Sequence, residues 1–102
     1  MLLASSVFAQ TAERLYAEAK ASEASGKSDV AFLLYRQLVR QYPESAYADE
    51  SLFLIGQYYY ESRNYVDATK AFGEHQQKFP KSQFKQPIQD YLARMSLRSL
   101  KE

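Results

Sequence analysis

Tyr42-Pro43-Glu44-Ser45-Ala46-Tyr47 returns 37 residues later as Phe79-Pro80-Lys81-Ser82-Gln83-Phe84, with aromatic, Pro, Ser and aromatic in the same order. Punctuation that recurs at a fixed period marks a structural unit used more than once. The register extends outward from these junctions. Leu15 falls on Leu52, Tyr16 on Phe53, Ala19 on Gly56, Ala31 on Ala68 and Tyr35 on Phe72. A third, partial copy places Leu92 and Ala93 under Ile55 and Gly56.

Within each copy the apolar spacing is helical. Leu52, Ile55, Gly56 and Tyr59 stand at i, i+3, i+4 and i+7, which is one face of an α-helix. Val66, Ala68, Phe72 and Phe79 give the next helix a looser version of the same stripe. Gly56 and Ala68 are read as the small residues that let those two helices approach. Ser45 stands where an N-cap belongs, and Asp49 and Glu50 suit the positive end of the helix dipole. Pro43 and Pro80 punctuate the ends of preceding helices, and Pro87 fits a first turn. Ser25-Gly26-Lys27 and Ser62-Arg63-Asn64 read as polar breaks. These signals predict five helices, over about 11–25, 28–41, 45–61, 65–78 and 84–101. Short loops make sequential helices antiparallel neighbours. The expected fold is all-α, a short right-handed solenoid of two helix pairs plus a C-terminal helix.

This pattern resembles the tetratricopeptide repeat family. The second copy supplies Leu52, Ile55-Gly56, Tyr59, Ala68, Phe72 and Pro80 at the family's positions. The first supplies Leu15, Ala19, Ala31, Tyr35, Leu38 and Pro43, with Ser22 where the first helix usually has an aromatic. His75 departs from the family's small residue. The period of 37 instead of 34, and the Tyr-Pro-x-Ser junction before Ala48-Asp-Glu-Ser-Leu-Phe-Leu-Ile-Gly56-Gln-Tyr-Tyr59, resemble a bacterial envelope subgroup. That subgroup includes a Tol-Pal-associated periplasmic protein and a lipoprotein of the β-barrel assembly machinery.

The resemblance implies a non-catalytic module that holds a protein or peptide in a concave groove lined by the first helix of each pair. By family position the groove residues are Tyr16, Lys20, Phe53, Gln57, Tyr60, Arg94 and Arg98, with Asp90 beside them. For Phe53 and Tyr60 a packing role against the neighbouring helix fits equally. In the Tyr58-Tyr59-Tyr60 run, Tyr59 is read as a packing residue. The family's clamp for a chaperone tail uses five set positions, held here by Tyr16, Lys20, Gln57, Asp90 and Arg94. Only Arg94 suits it, so that ligand is not expected.

Composition narrows the remaining classes. With 102 residues there is one domain, and with no Cys neither a disulfide framework nor thiolate chemistry. A lipid anchor through an N-terminal cysteine is likewise not expected. The sole histidine, His75, has no acid at ligand spacing, so neither a metal nor another cofactor is expected. No Gly-x-Ser-x-Gly turn and no Gly-rich phosphate loop exists among three glycines. Asp49 and Glu50, adjacent in sequence, diverge on a helix and do not pair as catalytic carboxylates.

Net charge is +1, but residues 1–77 sum to −3 and residues 78–102 to +4. A solvated basic end accounts for this. Nucleic-acid binding would need aromatics interleaved with those cations, and only Phe79, Phe84 and Tyr91 could serve. No nucleic-acid partner is expected, and no transmembrane segment.

Residues 1–9 allow two readings. An apolar run ending in Val7-Phe8-Ala9 resembles the end of a secretory signal. The repeat domain would then run over residues 10–102, in a periplasmic or secreted protein. Alternatively, the run is an apolar start to the first helix of a cytoplasmic scaffold that oligomerises without using a groove. At the other end Leu97 and Leu100 fall off the inner stripe of Ile88, Tyr91, Leu92 and Met95. Such a face suits contact with a second copy, as a two-fold dimer, or with a further domain.

Overall fold

The computed structural model describes residues 11–101, and side chains as far as Arg98. The signal-like residues 1–9 and the side chain of Leu100 lie outside the described residues. Five α-helices follow one another: α1 (Ala12–Ala24), α2 (Ser28–Gln41), α3 (Ala48–Glu61), α4 (Tyr65–Lys78) and α5 (Lys85–Lys101). No strand occurs among the described residues. Each helix packs on the next in sequence through α4, and α5 closes on α4 over a smaller contact. This is a short helical solenoid, as the repeat pattern implies.

The two copies repeat in hydrogen bonds as well as in sequence. After α1, Lys27 N–H donates to Ser22 O at 2.8 Å, and after α3 Asn64 N–H donates to Tyr59 O at 2.8 Å. Each of these turns needs one left-handed residue. Gly26 takes φ 79° in the first and Arg63 takes φ 63° in the second. The aromatic-Pro-x-Ser junctions match equally well. Tyr42 and Phe79 end their helices at φ/ψ −133°/59° and −130°/63°. Ser45 Oγ accepts from Tyr47 N at 3.2 Å, and Ser82 Oγ accepts from Phe84 N at 2.9 Å.

That last pair corrects the expected helix start. Ser45 does not cap α3. It closes a tight turn two residues ahead, and α3 begins at Ala48 with Tyr47 at the cap position and no side-chain cap. The last helix likewise begins at Lys85, after Ser82 has served its own turn. Real side-chain caps occur at Thr11, which accepts from Arg14 N, and at Asn64, which accepts from Asp67 N.

The core is a strip running along the row of helices. Leu15, Leu38 and Ala48 form one end, and Ala19, Ala31, Tyr35, Leu52, Ile55 and Ala71 the middle. Phe53, Ala68, Phe72, Ile88 and Met95 form the other end. Gly56 lies where α3 meets α4, and a Cβ there would overlap the Phe72 ring. Two residues read as part of the α4 stripe do not belong to it. Val66 is 69% exposed. Phe79 lies past the helix end, although it packs on the core.

Candidate partner-binding face

The first helices α1, α3 and α5 are tied along one face by aromatic and polar links. Tyr16 of α1 stacks on Tyr47 at 4.7 Å between centroids and 27° between planes. Phe53 of α3 stacks on Phe84 at 4.5 Å and 16°. Both members of these pairs are 37 apart, so the second aromatic of each junction folds back onto the first helix of the preceding copy. Tyr16 Oη donates to Glu50 Oε1 and Lys20 Nζ to Glu50 Oε2, each at 2.8 Å, joining α1 to α3. Gln57 Nε2 donates to Tyr91 Oη at 2.9 Å, joining α3 to α5.

These links shift two titrations. Burial first, then Glu50, pushes the Tyr16 phenol above its ordinary value. Burial pulls the Lys20 ammonium down, but the hydrogen bond and charge of Glu50 outweigh it and leave it raised.

The sequence-derived groove residues divide in this geometry. Tyr16, Lys20 and Gln57 are half-buried and lie on the face with polar atoms engaged between helices. Tyr60 is half-buried, edge-on to Tyr91 at 4.7 Å. Arg94 is exposed, its guanidinium 5.1 Å from the centre of the Tyr91 ring. Phe53 is only 7% exposed, enclosed by Phe72, Phe84 and Tyr91, so it offers a ligand almost no surface. Its aromatic partners explain this: the junction that follows α4 folds over it. Arg98 leans away from the row, over the Tyr65 ring at 5.1 Å, and borders a cleft between α4 and α5. Tyr59 packs in the core, and Tyr58 stacks on Phe32 at 4.2 Å.

Residues 14–45 match the tetratricopeptide repeat family. The matched segment is the first copy through Ser45. Families of this repeat are in general interaction modules without catalysis. No curated protein and no solved structure matches the chain. The 37-residue register and the shared junction geometry extend the repeat beyond the match to the second copy, where Arg63, Phe84 and Ser82 do what Gly26, Tyr47 and Ser45 do in the first.

One difference between the two copies brings polar groups together inside the second. His75 is wholly buried, and its Nε2 lies 2.6 Å from Asp49 Oδ1, which also accepts from Ser82 Oγ at 2.7 Å. The residues 37 earlier are Leu38, Ala12 and Ser45, so a polar lock stands where the first copy has an apolar contact. The set is not a nucleophilic triad. The serine hydroxyl gives its proton to the aspartate, whereas a serine nucleophile must give it to histidine. Asp49 and Glu50, read from sequence as dipole partners only, each bridge distant elements instead. No cluster of three or more His, Asp or Glu among the described residues is placed to hold a metal ion.

Sequence reasoning missed Glu50, Tyr91 and the Tyr47 and Phe84 stacks. The signal for the stacks was present, since Tyr16/Phe53 and Tyr47/Phe84 are paired by the same register.

Proposed function

We propose that this chain holds a protein or peptide partner along the face of α1, α3 and α5, as a non-catalytic adaptor in bacterial envelope assembly or maintenance. The carrying observation is a pair of links, Tyr16–Glu50–Lys20 between α1 and α3 and Gln57–Tyr91–Arg94 between α3 and α5, which tie the three first helices together before any ligand arrives. Preorganised polar tips beside half-buried aromatics suit an extended or helical peptide. The family match supports a protein partner, and the Tyr-Pro-x-Ser junction supports the envelope setting.

The test is capture from bacterial envelope extracts with wild-type protein and with Gln57→Ala/Arg94→Glu. Partners retained by wild type and lost by the variant support the face. Equal capture by both removes it. For the compartment, intact-mass measurement of protein from the source cell should show a chain beginning at Gln10. A full-length mass in the cytosolic fraction would place the adaptor in the cytoplasm.

A second reading is self-association, and Leu97 favours it at 60% exposure on the C-terminal helix. Light scattering should then show a dimer that Leu97→Glu converts to a folded monomer. A wild-type monomer at high micromolar concentration eliminates this reading.

A further inference from the structure

A second surface lies on the opposite side of α3. Leu52, Ile55 and Tyr59 point about 150° around that helix from Glu50, Phe53 and Gln57. They floor a groove of about 460 Å³ between α2 and α4, within the roughly 300–1,000 Å³ usual for ligand sites. The α2 wall presents Arg36 and Arg40, one helical turn and about 6 Å apart. Lys70 and Lys78 stand on the α4 wall.

The acids nearby offset only part of this charge. Asp67 is engaged by Asn64, which donates to it at 2.8 Å, and Glu74 pairs with Lys78 at 3.1 Å. Among the described residues Arg40 and Lys70 have no ion-pair partner, and Arg36 rests over the Phe32 ring at 5.6 Å. The only acid on α2 is Asp29, in its first turn. A body with net negative charge therefore carries a trough whose four cations outnumber its two carboxylates.

We infer that this groove binds an acidic amphipathic peptide segment, with carboxylates one helical turn apart on Arg36 and Arg40 and an apolar side chain between the walls. Bidentate pairing to carboxylate is the geometry arginine provides best. The recessed floor argues against a flat anionic membrane. Leu52 is 3% exposed and Ile55 6%, so only an inserted side chain reaches them.

The test uses fluorescein-labelled 12-residue peptides with Glu at i and i+4 and Leu, Ile or Phe on the adjoining helical face at i+3 and i+7, beside matched peptides with Gln for Glu. Fluorescence anisotropy should show the Glu peptides binding at least about tenfold tighter, with affinity falling as salt rises. Arg36→Gln/Arg40→Gln should remove that preference while circular dichroism is unchanged, and Arg36→Lys/Arg40→Lys should restore part of it. Gln57→Ala/Arg94→Glu, on the other face, should leave it intact, which separates this site from the adaptor face. Equal binding of Glu and Gln peptides, or full retention by the Gln variant, overturns the inference. So does binding to phosphatidylglycerol vesicles with none to any peptide.

Discussion

Arg63 shows how one residue position can be dictated by geometry and still be filled by the less suitable side chain. It occupies the left-handed turn that Gly26 fills one repeat earlier, and an L-residue there is disfavoured by about 1–2 kcal/mol. Arg63→Gly should therefore stabilise the chain by up to about 1 kcal/mol, after the extra unfolded-state freedom of glycine is subtracted. Chemical denaturation would measure it, and a loss of stability would mean that the Arg63 side chain supports the turn. The buried lock makes a second case. Asp49→Ala leaves the buried His75 without its partner at Nε2, and should destabilise by roughly 1–3 kcal/mol. His75→Leu/Asp49→Ala restores the apolar chemistry that the first copy uses at Leu38 and Ala12. It should be less destabilised than the sum of the two single changes, and a double-mutant cycle reads the difference directly.

At the scale of the elements, the helix ends differ in how firmly they are held. The links of α1 to α3 run through Tyr16, Lys20 and Glu50 and depend on protonation. The folded-state values of both Tyr16 and Lys20 lie above their ordinary ones. Their contribution is thus fully present below the unfolded values near 10 and is lost as pH rises beyond them. Burial pushes Tyr35 up as well, so it adds to the same alkaline loss. Thermal melts should be level from pH 7 to 9 and fall above about pH 10. Tyr16→Phe/Lys20→Met should start lower and fall less steeply, and an unchanged slope would mean that Tyr35 alone sets the alkaline limit. The last helix is the weak element. It anchors through Ile88 and Met95 and meets α4 over a short contact. Amides of α5 after Met95 should exchange hydrogen well before those of α2, α3 and α4, measured by mass spectrometry. Uniform protection through Arg98 would show that something covers α5 in solution.

At the scale of the whole molecule, the chain is a row in which each unit is stabilised by its neighbour. Phe53 is the joint between copies, touching α4 through Phe72, the second junction through Phe84 and α5 through Tyr91. Phe53→Ala should cost about 3–5 kcal/mol, a large share of the 5–15 kcal/mol that holds a typical domain together. A melting temperature near that of wild type would show that the two copies fold independently. The same reasoning disqualifies Phe53 as a probe of partner binding, since its loss would unfold the face it was meant to test.

The sequence alone determined the repeat, the helix pairs and the core stripe, because helical periodicity and turn chemistry are local and the 37-residue register exposes them twice. Helices α2 and α4 begin and end where the pattern put them. The family resemblance, and not the spacing alone, implied one face for Tyr16, Lys20 and Gln57, which lie on two different helices. Only the tertiary structure decided what those side chains touch. Ser45 looks like a cap in sequence, yet its hydroxyl closes a turn, as that of Ser82 does, and the aromatic that follows each swings back onto Tyr16 or Phe53. Asp49 looks like a dipole partner until α4 and the second junction bring His75 and Ser82 to it. Arg36 and Arg40 are unremarkable cations along α2, and they become one wall of a groove only when α4 packs beside them. Contacts between residues about 30 positions apart have no local signature, and these contacts decide which polar groups are satisfied and which remain free to meet a partner.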